Sequence, residues 1–253
     1  MFLGDDRSVY ILDKAEGNHV HINGHPAWAS VWYVSIVQLS LSYPFTDHMN
    51  SRDIETQRTV VQDVPSNTFC ASGMHLPDGV WATFGGNDAV AIGGNVGSQQ
   101  NPDGTGAWDS ALGDFDGRQV IRTVSPCSVE DHLDSGKCKW NELRGDAGMK
   151  TLRWYSSAEA TGEGQVVIIG GFRRGGYINR DWPMTDRIYQ EGKSEPTYEY
   201  FPPRKQDPAI FQFLVDTAGL NAFAHTFLMP DGRFFVQANL SSGTTSFNAL
   251  TLF

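Results

Sequence analysis

Apolar positions along the chain recur with period two or gather in short runs bounded by Gly, Pro, Asn and Asp, the pattern of strands between turns. Stretches with a helical period are scarce; the two candidates are short, near 107–112 and 209–215. A unit repeats. It begins with small residues, passes through a tight Asp-Gly or Glu-Gly turn, continues for five mostly apolar residues and closes on a glycine pair or its stand-in. The copies are "HLPDGVWATFGGN" (75–87), "ATGEGQVVIIGGF" (160–172) and "LMPDGRFFVQAN" (228–239), where Ala238-Asn239 replaces the glycines.

Asp-Gly at a two-residue turn supplies the positive φ angles that a hairpin needs. The apolar run reads as a strand buried on both faces, and Gly-Gly lets it end where neighbouring backbones crowd. Between copies lie strands of another flavour, "RQVIRTV" (118–124), "CKWNEL" (138–143) and "PTYEYFP" (196–202), with Trp140 in what would be the fourth strand of a unit. Four strands per unit with a glycine doublet after the second is the pattern of a kelch-type blade, so the expected fold is all-β, a kelch-type β-propeller built from antiparallel strands. Strands 80–86, 165–171 and 233–238 should be equivalent. In that register Cys70 lies nine residues before Gly79, and Tyr155 lies nine residues before Gly164. Both fall on the innermost strand of successive units, where a thiol and a phenol are placed to meet.

A chain of 253 residues with 40% hydrophobic content can bury a full core, and 27 Gly with 12 Pro favour turns over long helices. The net charge of −10 argues against nucleic acid or an anionic membrane as partner. No apolar run is long enough to span a bilayer; "YVSIVQLSLSYPF" (33–45) is too short and too polar. The start, "MFLGDDRSVYILD", shows no signal peptide. Three cysteines are an odd number. Cys127 and Cys138 bracket a polar loop that a disulfide could close, with two free thiols as the equal alternative, and Cys70 is left over. The sequon Asn239-Leu240-Ser241 suits a secreted protein but adds little.

The segments "NTFCASGMHLPDGVWATFGGN", "RWYSSAEATGEGQVVIIGGFRRGGYINR", "PTYEYFPPR" and "HTFLMPDGRFFVQAN", with "VYILDKAEGN" and "INGHPAWAS" near the start, resemble the fungal glyoxal oxidases over most of residues 9–240. These are copper radical oxidases related to galactose oxidase. The resemblance implies a seven-bladed propeller and oxidation of small aldehydes or alcohols, with reduction of dioxygen to hydrogen peroxide. It also implies secretion. In that family a cysteine sulfur is bonded to a tyrosine ring, and the cross-linked tyrosine binds copper and carries the radical. Cys70 and Tyr155 match those two residues, Tyr155 being the copper ligand. A thioether beside the phenol oxygen donates electron density and lowers the radical's potential, and nitrogen and oxygen donors suit the metal. Aligned with galactose oxidase, Arg173 takes the place of a tryptophan that stacks over the cross-link. A planar guanidinium could stack there in its stead, or Arg173 is a solvated loop arginine.

The chain also departs from the family. The resemblance calls for a second tyrosine followed directly by histidine and for a later histidine, and no Tyr-His pair is present. The tail 241–253 does not resemble the family sequence beyond the third copy, and 33–64 reads as an insertion. Against the roughly 350 residues of seven blades, the chain is expected to supply about four incomplete ones, as a partial domain inactive by itself. His19 and His21 share a strand face and could bind metal, with a structural or surface role the stronger reading. His75 and His225 read as packing residues. Residues 93–117 read as a long polar loop, shaping a substrate mouth or disordered, without calcium-ligand spacing. The alternative to an oxidase is a kelch-type binding module without chemistry, in which Cys70 and Tyr155 only pack.

Overall fold

The structure, a computed structural model, describes residues 1–4, 8–33, 59–125, 138–173, 194–216, 222–238 and 245–248, together with Cys127 and Asp131. It is nearly all β. In chain order the first sheet takes strands β1 (Phe2–Leu3) and β2 (Ser8–Leu12), a small ribbon of β3 (His21–Ile22) and β4 (His25–Pro26), then β5 (Ala29–Tyr33) and β6 (Thr59–Gln62), with order β1-β2-β5-β6. The second runs β7 (Ser72–His75), β8 (Trp81–Phe84), β13 (Ile121–Val124) and β14 (Asn141–Leu143). Between its second and third strands sit two ribbons, β9 (Val90–Ala91) with β10 (Asn95–Val96) and β11 (Gln99–Gln100) with β12 (Gly106–Trp108). The third is β15 (Ser157–Ala160), β16 (Val166–Ile169), β17 (Thr197–Phe201) and β18 (Ala209–Ile210), and the last is β19 (His225–Leu228), β20 (Arg233–Gln237) and β21 (Thr245–Asn248). Every pairing between these strands is antiparallel. The three repeated apolar runs become β8, β16 and β20, each the second strand of its sheet.

The alternation of side chains explains how the sheets stack. In β16, Val166 and Ile168 point to one face and join Ala82, Phe84 and Ile121 of the second sheet. Val167 and Ile169 point to the other and join Phe234 and Val236 of β20, with Phe211, Phe213 and Leu214 filling the edge. A strand covered on both faces has no use for polar alternation, which is why it reads Val-Val-Ile-Ile. Burying each of these side chains is worth about 1.5–3 kcal/mol. A third cluster, Phe2, Tyr10, Ala29 and Val31 against Val124 and Trp140, joins the first sheet to the second. The first strands of the second, third and fourth sheets are neighbours in turn. Ser72 Oγ and Ser156 Oγ are 3.1 Å apart, and Ser157 Oγ donates to the Ala224 carbonyl.

The glycine doublets sit where backbones crowd, Gly85 against the next unit and Gly86 against the start of its own. A Cβ on Gly85 would lie 2.2 Å from the Arg153 carbonyl oxygen, and one on Gly86 would lie 2.1 Å from that of Asn67. The doublet carbonyls bend out of the ladder and find buried arginines instead. Arg122 Nη1 donates to the Gly85 carbonyl at 2.6 Å, and Arg153 Nη1 donates to the Gly170 carbonyl at 2.8 Å. Both arginines are fully buried.

Several local expectations change. Residues 107–112 form no helix: Gly106–Trp108 pairs with β11, and the Asp109 carboxylate then accepts from the Ala111 and Leu112 N–H groups to make a turn. A helical turn does form at Gln212–Asp216, but Ala209–Ile210 before it is strand. The 93–117 stretch forms, with residues 88–92 before it, an ordered double ribbon. Asp88, Asp109 and Asp114 are buried in it and accept backbone N–H groups of Gly106, Ser98 and Val90, which a sequence count of polar residues does not reveal. Thr59–Gln62 pairs with β5, and Val64 lies in the core, so the end of the 33–64 stretch belongs to the first sheet; 34–58 lies outside the described residues. In the tail, Thr245–Asn248 pairs with β20, while 239–244 and 249–253 lie outside the described residues.

Candidate functional site

Cys70 and Tyr155 stand just before the first strands of the second and third sheets. Both adopt the left-handed backbone conformation, φ 59° at Cys70 and 63° at Tyr155, which costs a residue with a Cβ about 1–2 kcal/mol. The strain is held by backbone hydrogen bonds between units. Tyr155 N–H donates to the Cys70 carbonyl at 3.2 Å, and Phe223 N–H donates to the Tyr155 carbonyl at 2.8 Å. Phe223 is itself left-handed, at φ 45°, and lies nine residues before Gly232. The repeat therefore places three residues, Cys70, Tyr155 and Phe223, at one position of successive units.

The side chains follow the backbone. The Cys70 thiol and the Tyr155 phenol adjoin closely enough for each to act on the other's ionisation. Burial pushes the thiol's pKa up, partly opposed by Tyr155 and Trp154. Burial, then the neighbouring thiol, pushes the Tyr155 phenol up to about 12. Both groups are therefore protonated at neutral pH. Around the Tyr155 ring stand Trp154 with centroids 4.3 Å apart, Phe223 at 4.9 Å and Phe172 at 6.4 Å, all at steep interplanar angles. The Trp154 indole N–H is buried without an acceptor at hydrogen-bonding geometry; the Cys70 sulfur is near enough to be influenced by it but is not aligned as one. A cavity of about 460 Å³ is walled by Phe69 and Trp154, the residues that precede Cys70 and Tyr155, with Asn67, Asn87, Ile92 and Lys14; neither Cys70 nor Tyr155 lines it. The ordered ribbon of 93–117 and the turn before it thus supply one side of this cavity through Ile92.

Arg173 directly follows Phe172, and its guanidinium lies 3.3 Å from the buried Glu195 carboxylate. Its carbonyl accepts a hydrogen bond from Arg118. The Cys127 and Cys138 sulfurs are bonded, with Cα atoms 6.0 Å apart, and Cys70 is the cysteine left free. His19, His21, His75 and His225 are exposed, and the His21 ring contacts the His19 carbonyl at 3.2 Å. His75 packs edge-on to Trp81. Among the described residues the buried histidine is His25, whose Nε2 lies 3.0 Å from Asp63.

The chain is similar to an aldehyde oxidase. It is 26% identical over 190 residues to the aldehyde oxidase GLOX of Vitis pseudoreticulata, covering 74% of this chain. The chain spans 26% of that relative's length. No protein-family model matches. Among solved structures it resembles a fungal alcohol oxidase of the AA5 family in complex with copper, at 15% identity and a TM-score of 0.42. That likeness covers 72% of this chain and 30% of the other, and is too loose to settle fold or chemistry.

For copper, the described residues do not make a complete site. They hold no group of three or more His, Cys, Asp or Glu side chains able to bind a metal, and Tyr155 and Cys70 alone offer one phenol and one thiol, both protonated. A copper site of nitrogen and oxygen donors needs about four. Sequence reasoning missed Phe223 and Trp154. Phe223 could have been found by counting nine back from Gly232; Trp154 carries no pattern of its own.

Proposed function

We propose that this chain carries the cross-link segment of a copper radical oxidase of the glyoxal oxidase type, with Cys70 and Tyr155 as the thioether pair. The single observation that carries this reading is placement: two reactive residues occupy one strained position of successive units, tied by the Tyr155-to-Cys70 backbone hydrogen bond. Joining them forms a bond from sulfur to the ring carbon beside the phenol oxygen. The thiol and ring hydrogens are lost, and dioxygen takes the two electrons and two protons as hydrogen peroxide. Sulfur on the ring then donates electron density and makes a phenoxyl radical easier to form and keep. The four stacked meanders are read as blades of a kelch-type propeller. Similarity to an aldehyde oxidase supports small aldehydes or alcohols as substrate and dioxygen as oxidant. The disulfide suits secretion into an oxidising compartment. Arg173, anchored to Glu195 beside the aromatic wall, is the candidate for contact with the cofactor ring. The remaining donors of a copper site are not among the described residues.

A second reading, a binding module without chemistry, is favoured by that missing donor set. Peptide mapping separates the two. The full chain is treated with Cu(II) and dioxygen and, separately, with a one-electron photo-oxidant, then alkylated and digested. The oxidase reading expects a Cys70–Tyr155 linked peptide lighter by two hydrogens in both arms, absent from Tyr155→Phe. Linking in the photo-oxidant arm alone supports the packing module; a freely alkylated Cys70 in both arms overturns the pair.

A further inference from the structure

We infer that Phe223 is the positioning residue of the Cys70–Tyr155 pair, an assignment that rests on the pair being the cross-link site. A phenylalanine in the left-handed region is uncommon, because its Cβ crowds the following carbonyl, and such strain persists where surrounding contacts over-determine it. Here they do. The Phe223 N–H is committed to the Tyr155 carbonyl at 2.8 Å. The next carbonyl, of buried Ala224, accepts from both Ser157 Oγ and Thr226 Oγ1. The backbone is thus clamped to the third sheet on one side and to its own strand on the other, and the ring is carried onto Tyr155.

The contact is edge-to-face, with centroids 4.9 Å apart and planes at 72°. That geometry restrains rotation of the phenol ring, since turning it would drive ring edges together. The unit before Tyr155 contributes the sulfur, and the unit after it contributes the ring that holds the phenol in place. Phe223 is itself 41% exposed, and its ring contact covers part of the Tyr155 ring. Thioether formation needs the carbon beside the hydroxyl turned to the sulfur, and a phenol free to rotate would meet that condition only part of the time.

The test uses the full chain with Phe223→Ala, Phe223→Leu and Phe223→Tyr, the last keeping the ring. Three readouts are local: the phenol titration of Tyr155 against a Tyr155→Phe background, the iodoacetamide rate of Cys70, and the yield of linked peptide under the photo-oxidant. Phe223→Ala is expected to lower the Tyr155 pKa from about 12 by about one unit, a tenfold change in ionisation constant. It should also raise the alkylation rate and cut the linked yield, each by about fivefold. Phe223→Leu should fall between, and Phe223→Tyr should restore all three. Unchanged titration and alkylation in both Phe223→Ala and Phe223→Leu overturn the role, as does failure of Phe223→Tyr to rescue a folded variant. If titration and alkylation shift as expected but the unsubstituted chain forms no link, the positioning stands and the cofactor reading falls.

Discussion

The crowding between units is measurable by placing one methyl group at two glycines that differ in a single respect. Gly79 and Gly85 both have strongly positive φ, 83° and 75°. A Cβ on Gly79 meets nothing within 4 Å, so Gly79→Ala isolates the left-handed penalty of about 1–2 kcal/mol. On Gly85 the same Cβ lies 2.2 Å from the Arg153 oxygen and 3.2 Å from its carbonyl carbon, both backbone. Relief requires the two chains to part by about 1 Å. That stretches the hydrogen bond from Gly86 N–H to the Arg153 carbonyl, now 3.2 Å, and the one from Arg153 N–H to the Arg118 carbonyl, now 2.9 Å. With the left-handed penalty at about 1–2 kcal/mol, overpacking at about 1–3 and each of the two weakened bonds at about 0.5–1.5, Gly85→Ala should cost about 3–8 kcal/mol. Urea unfolding followed by tryptophan fluorescence reads the difference as a shift in midpoint at unchanged slope. A gap of at least about 2 kcal/mol is expected, a large part of a typical stability of 5–15 kcal/mol. Equal costs for the two variants would show that the units do not cross at the doublet, and the stacking of the second sheet on the third would be wrong.

Burial raises the Asp114 carboxyl from its usual 3.8 to about 7, with Asp109 and Asp88 pushing the same way. The fold therefore binds that proton more tightly than the unfolded chain does. Its contribution is full below about pH 4 and is lost as pH rises to about 7, at up to about 1.4 kcal/mol per pH unit. Asp114→Asn keeps an acceptor for the Val90 N–H and should flatten that decline; a stability profile parallel to the parent's across this range would refute the assignment. The Cys127–Cys138 bridge closes a loop of sequence separation 11, worth about 2.8 kcal/mol by the loop-entropy relation. The double replacement by serine should lose about that much in urea, and no loss would mean the bridge constrains nothing in the unfolded chain.

The strands were legible because their apolar runs are bounded by turns with fixed chemistry, Asp78-Gly79, Glu163-Gly164 and Asp231-Gly232. The doublets at 85–86 and 170–171 were legible because two adjacent glycines have few other uses in a strand. The arginines were not. By composition Arg122 and Arg153 belong on a surface. They are buried because the doublets turn carbonyls away from the ladder, and a buried carbonyl without a donor costs more than a well-paired guanidinium. Arg122 also bonds Ser66, and Arg153 bonds Glu199 at 2.8 Å, so each charge is satisfied within its own seam. The double ribbon at 88–118 escaped for a related reason. Asp88, Asp109 and Asp114 look like solvated loop residues until their backbone partners are known, and those partners are set by tertiary contact.

The meeting of Cys70 and Tyr155 follows from the repetition itself. Once the Asp-Gly or Glu-Gly turn fixes the register of each hairpin, the residue nine positions earlier falls at the same height in every unit. Successive sheets packed through Ala82, Ile168 and their neighbours then bring those heights side by side. The backbone hydrogen bond between the two residues could form with any side chains there. What is particular to this chain is which side chains stand at the three equivalent places: a thiol, a phenol beside it, and an aromatic ring in edge contact with the phenol. Alanine and phenylalanine would pack at these places under the same left-handed backbone strain, without a thiol or a hydroxyl to bury. The frame supplies proximity, and the proposed cross-link depends on the choice of residues at these places.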